Sequence, residues 1–85
     1  MRIDKFLWFA RLAKSRSAAQ HVCEAGIIRL DGRRVERAHV LVRPGAVIAL
    51  MQGSDVRVVR IETLPTRRGP APEAARLYTD LTNHS

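Results

Sequence analysis

The sequence predicts an α+β fold, in which two short N-terminal helices pack on a small, curved, mostly antiparallel sheet and a C-terminal helix follows the sheet. Two observations favour this fold. Within the first 25 residues, apolar side chains recur every three to four positions, as they do along one face of a helix. From residue 27 to residue 61, apolar and polar residues alternate between short turn sequences, which is the pattern of half-buried strands. Because 85 residues bury only a modest core, we expect one small domain.

The first predicted helix has an apolar stripe at positions i, i+3, i+4 and i+7, made of Ile3, Phe6, Leu7 and Ala10. Asp4 lies in its first turn, where a carboxylate suits the positive end of the helix dipole. Asp4 could also orient Arg11 or Arg16 through a salt bridge. Trp8 lies off the apolar stripe, so it either packs beneath the C-terminal helix near Tyr78 or stacks on a bound base.

The second predicted helix begins at Ser15, a favourable N-cap, although the spacing of Ser17 and Gln20 also fits a capping box. Gly26 ends the helix, because glycine adopts the left-handed conformation of a C-cap at little cost. Cys23 lies on the inner face of this helix, and we expect it to be a small core residue and not a nucleophile.

Four strands follow the helices, at residues 27–30, 33–35, 46–51 and 56–61. Asp31-Gly32 predicts a tight turn between the first two strands, and residues 52–55 connect the last two in a hairpin. Pro44-Gly45 predicts another turn before the third strand. This spacing of strands and turns favours antiparallel pairing.

The C-terminal part of the chain has a different pattern from the sheet. The sheet ends before Pro65, and a basic hinge at residues 66–70 leads to a helix predicted over residues 72–81. We therefore expect residues 1–64 to form the main domain. Residues 65–85 are expected to be a hinge and a helix that pack on this domain or extend it.

The chain is strongly basic, with a formal net charge of +7 and a pI near 11.3. Thirteen of the fifteen basic residues are Arg, and ten of the fifteen lie within residues 1–43 beside four acidic residues. This uneven distribution indicates a directed anion-binding surface. Arg side chains suit phosphates, so structured RNA is the expected partner. No segment combines the wide basic and apolar faces of a membrane-surface helix.

Arg2, Lys5 and Arg16 are the leading candidates for RNA contacts, because a rigid helix pair holds their cationic side chains. Arg16 lies in the first turn of the second helix, where free backbone N–H groups also favour a phosphate. Gln20 is one helical turn beyond Arg16 and could hydrogen-bond a sugar or a base edge. The full predicted set of RNA contacts is Arg2, Lys5, Arg11, Lys14, Ser15, Arg16, Gln20, Arg29, Arg33, Arg34 and Arg37.

The sequence has no recognisable catalytic or metal-binding motif. His21 and Cys23 are two positions apart on a helix and so face different directions, and His39 and His84 add no ligand spacing. A glycine-rich phosphate loop and a paired carboxylate motif are also missing. We therefore expect a protein that is not an enzyme and needs no cofactor, metal or small-molecule substrate. The single Cys favours a reducing cytoplasm.

Five short segments occur in the order and spacing of a known RNA-binding family: RIDKFL at residues 2–7, SRSAA at 15–19, GII at 26–28, DG at 31–32 and PG at 44–45. They resemble the RNA-binding domain of the ribosomal protein S-four type, which contains the alpha-L motif. The whole chain resembles a narrower group, the small ribosome-associated heat shock protein fifteen family and its shorter ribosome quality-control relatives. This narrower resemblance rests on DKFLW at residues 4–8, the hairpin at 52–53 and EAARLY at 73–78. Ile27 departs from the family, whose members often carry a basic or polar residue there.

The resemblance implies non-catalytic binding of large-subunit ribosomal RNA, on subunits that carry a stalled peptidyl-tRNA, in the rescue or recycling of that particle. We further expect a cytoplasmic protein that is a monomer off the ribosome, with peptidyl-tRNA as a second partner and no membrane association. Two alternatives remain open. One is an accessory RNA-binding subunit of an RNA-modifying enzyme. The other is a DNA-binding regulator with a basic helix pair, which the short helices and the strand-rich second half disfavour.

Overall fold

Two short helices form the N-terminal part of the chain, in the order that the sequence predicts. Helix α1 spans Ile3–Phe9 and helix α2 spans Arg16–Glu24. Ser15 is the N-cap of α2, because its Oγ accepts a hydrogen bond from the backbone N–H of Ala18 at 3.0 Å. This contact confirms the first of the two predicted starts. The computed structural model describes residues 1–82, with Gln52 by its backbone alone, and the predicted C-terminal segment from residue 83 onward, including His84, lies outside the described residues.

The start of α1 is fixed by a loop from the middle of the chain. The backbone N–H of Ile3 donates to the carbonyl of Val40 at 2.7 Å, and the N–H of Val42 donates to the carbonyl of Met1 at 2.8 Å. The first bond satisfies a helix N–H group that has no partner within the helix, and the second ties the residue before Arg2 to the loop. Arg2 lies between the two bonds, so the loop fixes the backbone position of a predicted RNA-contact residue.

Five strands form one open sheet: β1 at Ile28–Leu30, β2 at Arg33–Val35, β3 at Val47–Gln52, β4 at Asp55–Ile61 and β5 at Tyr78–Asp80. The spatial order is β2-β1-β3-β4-β5, and each neighbouring pair is antiparallel. The first four strands confirm the sequence-based prediction. The fifth strand was not expected, and it arises from the segment predicted as helix.

The Asp31-Gly32 turn joins β1 to β2, as predicted. Both residues have left-handed backbone angles, with φ of 50° and 84°. Two successive positive φ values are the mark of the type I′ turn, which matches the twist of a hairpin. The Asp31 carboxylate also accepts a hydrogen bond from the backbone N–H of Val47 at 2.9 Å, and this bond ties the turn to β3.

One face of the sheet and the inner faces of both helices share a single apolar core. Its fully buried members are Ile3, Phe6, Leu7, Ala19, Cys23, Ile28, Ile48 and Val59. Burial raises the pKa of the Cys23 thiol to about 11, and the charges of Asp4 and Glu24 act in the same direction. The thiol is therefore protonated at neutral pH, which agrees with the predicted core role.

The C-terminal helix is present, but the predicted range of residues 72–81 is wrong. Helix α3 spans Ala71–Ala74, one 3₁₀ turn spans Ala75–Leu77, and the chain then extends into β5. The backbone N–H of Leu81 donates to the carbonyl of Val58 at 2.7 Å. The end of this segment therefore pairs with the sheet and does not continue the helix, since β4 presents a free edge and Tyr and Thr favour strands.

The hinge that precedes α3 lies against the end of α1. The Arg68 guanidinium lies 5.7 Å from the centroid of the Trp8 ring, and Arg68 Nε donates to the Trp8 carbonyl at 3.1 Å. Arg11 Nε donates to the carbonyl of Gly69 at 2.9 Å. Trp8 is thus half-buried beneath the hinge. The expected neighbour Tyr78 instead accepts a hydrogen bond from Arg57.

Candidate nucleic-acid interface

The carboxylate of Asp4 is the centre of the candidate interface. Its side chain is 0% exposed, although it lies in the first turn of α1. It accepts two hydrogen bonds from Arg2, from Nε and from Nη2, each at 3.1 Å. The backbone N–H of Lys5 donates at 2.8 Å, and Gln20 Nε2 donates from α2 at 3.2 Å. One buried anion therefore connects the two helices and orients two predicted contact residues.

Arg16, the first residue of α2, completes this cluster. Its Nε lies 3.6 Å from Asp4 Oδ2, which confirms the predicted salt bridge to Arg16, whereas Arg11 bonds to the hinge. That Nε is buried, and it has no hydrogen-bond partner among residues 1–82. The side chain as a whole is still 40% exposed, and that of Arg2 is 43% exposed. Both guanidinium groups thus turn one edge toward Asp4 and another toward solvent.

The electrostatics of the cluster keep Asp4 ionised. Burial raises the pKa of Asp4, but hydrogen bonds from Gln20, Lys5 and Arg2 and the charge of Arg2 lower it, and the pKa is below 3.8 as a result. Two guanidinium cations surround one carboxylate anion, so the cluster keeps a net positive charge. It can therefore attract a phosphate from solution.

The lowered pKa of Asp4 predicts a specific dependence of stability on pH. Because the folded-state pKa lies below the unfolded value, the ionised carboxylate stabilises the fold above about pH 4, and this contribution is lost as the pH falls. Glu62 and Asp80 also have lowered pKa values, so thermal unfolding should be compared with that of Asp4→Asn from pH 2 to pH 7. The wild-type chain should lose more stability on acidification than the variant. Parallel curves for the two chains would contradict the prediction.

Two shallow grooves extend the charged surface away from the Asp4 cluster. The first groove has a mixed polar lining, made of Arg2, Gln20, Arg37 and His39 together with the carboxylates of Glu24 and Glu36. Arg37 also lines the second groove, with the predicted contact residues Arg33 and Arg34. Because Arg37 belongs to both grooves, the grooves adjoin. The structure therefore brings the helix residues and the hairpin residues of the predicted set onto connected surfaces.

Arg34 connects the hairpin to the end of α2. Gly26 has a φ of +73° there, which confirms the predicted left-handed C-cap, and a Cβ atom at this position would lie only 2.6 Å from Arg34 Nε. The Arg34 side chain thus lies directly over the Gly26 backbone. Arg29 is paired with Arg34 across β1 and β2, so these two side chains share the outer face of the sheet.

The remaining predicted contacts have different surroundings. Lys5 is half-buried, with its Nζ 5.3 Å from the centroid of the Phe9 ring. Lys14 is exposed in the loop before α2, while the Ser15 hydroxyl is already used as the helix cap. Arg11 is exposed, but its Nε bonds to the hinge. The side chains of these four residues are outside the Asp4 hydrogen-bond network, and only the backbone N–H of Lys5 takes part in it.

The predicted set leaves out one basic residue that lines a separate groove. Arg43 is exposed and lines a third groove with Leu41, whose side chain is also exposed at 67%. Its position directly before the Pro44-Gly45 turn was the available signal, because turn residues lie at the surface. Within residues 1–82, no three His, Cys, Asp or Glu side chains lie close enough together to bind a metal. No helix in this part of the chain is long and apolar enough to span a membrane.

The chain matches one protein-family model and several known proteins. A family model described as the S4 domain matches residues 1–48. Heat shock protein 15 of Escherichia coli strain K12 is 38% identical over 80 residues, which are 94% of this chain and 59% of that protein. The RQC P-site tRNA stabilizing factor of Bacillus subtilis strain 168 is 35% identical over 81 residues, which are 95% of this chain and 92% of that protein.

A solved structure matches the fold closely. Heat shock protein 15 of Vibrio cholerae, whose structure is trimeric, superposes with a TM-score of 0.87 at 40% sequence identity. The match covers 94% of this chain and 80% of the Vibrio chain. The five-stranded open sheet and its helices are therefore an S4-like α+β fold.

Proposed function

The chain belongs to the S4 domain family and is homologous to heat shock protein 15, and from this membership we propose that it is a non-catalytic protein that binds structured ribosomal RNA. The observation that carries the proposal is the Asp4 cluster. Arg2, Arg16 and Gln20 come from two helices and converge on one buried carboxylate, while their outer atoms face solvent. Such a preformed cationic surface suits the phosphates of a folded RNA.

Phosphate contacts supply most of the affinity in this mechanism. The outward edges of Arg2 and Arg16 donate to phosphate oxygens, and Arg37 extends these contacts along the first groove. Gln20 has its amide N–H bonded to Asp4, and within residues 1–82 its carbonyl oxygen has no hydrogen-bond donor. A ribose 2′-hydroxyl could donate to that oxygen, and this contact would favour RNA over DNA.

The names of the relatives suggest where such an RNA is found. The Bacillus protein is called a P-site tRNA stabilizing factor, and it is matched over 92% of its length. We therefore propose that the present chain binds large ribosomal subunits that carry a stalled peptidyl-tRNA and aids their rescue in the cytoplasm. The proposal keeps the expectation of a monomer off the ribosome, in contrast to the trimeric structure of the Vibrio relative. These points are proposals, because the chain spans only 59% of the length of the Escherichia heat shock protein 15.

The two parts of the chain have different roles in this proposal. Residues 1–64 carry the RNA contacts. Residues 65–82 brace the end of α1, through the bonds of Arg68 and Gly69 to Trp8 and Arg11. The C-terminal part thus acts on the fold and not on the RNA.

The salt dependence of binding tests the proposed function. If about four to six phosphates are neutralised, a plot of log affinity against log salt concentration should have a slope of roughly −3 to −5. Sedimentation with purified bacterial large ribosomal subunits at several salt concentrations measures this slope. Duplex DNA, present at the same salt and phosphate concentration, should compete much less than structured RNA.

Two outcomes would contradict the proposal. Equal competition by duplex DNA would favour the DNA-binding alternative. Absence from the large subunit, with co-sedimentation of an RNA-modifying enzyme from a cell lysate, would favour the accessory-subunit alternative. The matched arginine variants described in the Discussion are the controls for general charge effects.

A further inference from the structure

We propose that Asp4 is a positioning residue, which holds the guanidinium groups of Arg2 and Arg16 in the orientation that binds RNA phosphates. The inference rests on the proposed function, and it concerns a residue whose own charge repels RNA. An acidic residue at the centre of a polyanion-binding surface needs an explanation beyond net charge. Its complete burial between two helices supplies that explanation.

The contacts of Arg2 fix the plane of its guanidinium group. Nε and Nη2 form one edge of the planar group, and each donates to a different oxygen of Asp4 at 3.1 Å. A bidentate contact of this kind fixes the rotation of the group as well as its position. The opposite edge, which includes Nη1, is then directed away from Asp4, and the side chain is 43% exposed. A free edge with a fixed direction is what a phosphate contact requires.

Arg16 is held by the same carboxylate from the other helix. Its buried Nε is 3.6 Å from Asp4 Oδ2, so an ion pair forms without a hydrogen bond. Because Arg2 precedes α1 and Arg16 begins α2, the shared anion sets the spacing of two cations that come from different elements. Without the carboxylate between them, two guanidinium groups that contact the same site would repel each other.

Positioning has a physical benefit for binding. An Arg side chain has many rotamers, and a binding event must restrict them at a loss of conformational entropy. Here the intramolecular contacts restrict the side chains before the RNA arrives. The gain in affinity therefore comes from preorganisation, and it outweighs the repulsion between the carboxylate and the RNA.

This inference and a simple charge argument predict opposite signs for one substitution. Asp4→Asn keeps the side-chain shape but raises the formal net charge from +7 to +8. If net charge alone determined the affinity, the variant should bind RNA more tightly and with a steeper salt dependence. If Asp4 positions the arginines, the Asp4→Asn variant should bind about 10-fold more weakly and with a shallower salt slope. The reason is that the two guanidinium groups no longer contact the phosphates together.

A double-mutant cycle separates positioning from general destabilisation. Affinity for purified bacterial large ribosomal subunits is measured for the wild type and for Asp4→Asn, Arg16→Gln and Arg76→Gln alone. It is then measured for Asp4→Asn combined with each of the other two substitutions. Arg76 is an exposed residue on the C-terminal 3₁₀ turn and supplies the same change in charge. In the Arg16→Gln background, the loss of affinity caused by Asp4→Asn should be smaller than in the wild type by about threefold or more. In the Arg76→Gln background, it should be the same as in the wild type. Tighter binding by Asp4→Asn, or equal effects in both backgrounds, would overturn the inference.

A second measurement needs no variant and covers the case in which Asp4→Asn does not fold. In the free wild-type protein, nitrogen relaxation of the arginine Nε–H groups should give an order parameter above about 0.6 for Arg2 and below it for Arg76. Equal mobility of the two side chains would overturn the inference. If wild-type protein does not bind large subunits at all, the proposed function fails; if it binds but Asp4→Asn binds equally well, only the positioning role fails.

Discussion

Replacing Arg16 by Gln should weaken binding to large ribosomal subunits by about 10- to 100-fold, while the fold is retained. A hydrogen bond to a charged group contributes about 1.5–3 kcal/mol, and each 1.4 kcal/mol corresponds to about tenfold in affinity. The salt slope should also become less steep by about one unit, because one phosphate contact is lost. Arg16 is 40% exposed and makes no hydrogen bond to Asp4, so its removal leaves the buried network in place.

Arg76→Gln is the matched control for this experiment. It removes the same charge from an exposed position on the C-terminal turn. Its effect on affinity should stay within about threefold, since a distant charge contributes only through the screened overall field. Circular dichroism of both variants checks the fold. Equal losses for Arg16→Gln and Arg76→Gln would contradict the predicted site.

The structure also shows why charge reversal at both arginines is a poor test. From the sequence alone, Arg2→Glu combined with Arg16→Glu is expected to weaken binding severely without unfolding the chain, because both side chains should project from the apolar stripe. However, Arg2 donates two hydrogen bonds to the buried Asp4 carboxylate. Breaking a buried ion pair costs about 3–5 kcal/mol, and a second carboxylate beside Asp4 would add repulsion. A loss of binding by that variant would not distinguish the site from the fold.

Replacing Phe6 by Ala should have the largest effect on stability. Phe6 is fully buried at the centre of α1, within the core shared by both helices and the sheet. Such a truncation removes apolar contacts and leaves a cavity, which together cost about 3–5 kcal/mol. In a chain of 85 residues, each 1 kcal/mol lowers Tm by roughly 4–8 °C, so the variant should melt at least about 12 °C below the wild type.

Thermal unfolding followed by circular dichroism measures this effect, and two variants serve as controls. Phe6→Leu conserves much of the volume and should cost less than about 1.5 kcal/mol. Val56→Ala truncates an exposed side chain in β4 and should change stability by less than about 0.5 kcal/mol. A Phe6→Ala protein that melts within a few degrees of the wild type would contradict the described core.

Local sequence signals were sufficient for most of the fold. The i, i+3, i+4 stripe of α1 and the Ser15 cap of α2 depend on neighbouring residues only, and both are confirmed. Asp31-Gly32 likewise determines its own turn, because these residue types tolerate positive φ. The C-terminal segment differs, since its strand exists only because β4 offers a free edge. The strand preference of Tyr78 and Thr79 is local, but it does not by itself predict this long-range pairing.

The candidate site was predicted in part, for the same reason. Basic residues at helix starts and after a turn are visible in the sequence, so the arginines that line the two adjoining grooves were all in the predicted set. The sequence suggested that Asp4 could pair with Arg16, but its burial and its bonds to Arg2 and Gln20 were not predicted, because its first-turn position already had a local explanation. Only the packing of α1 on α2 brings Gln20 and Arg16 to the same carboxylate. The buried anion is a product of tertiary structure.

The shared carboxylate also has an evolutionary consequence. Arg2, Asp4, Arg16 and Gln20 depend on one another through a single buried group. A lineage that loses Asp4 leaves two unneutralised arginines, and one that loses Arg2 leaves a buried anion with fewer partners. Single changes at these positions are therefore disfavoured by selection, and the four residues should be inherited, or replaced, as a unit. Surface arginines outside the cluster can be substituted one at a time during evolution.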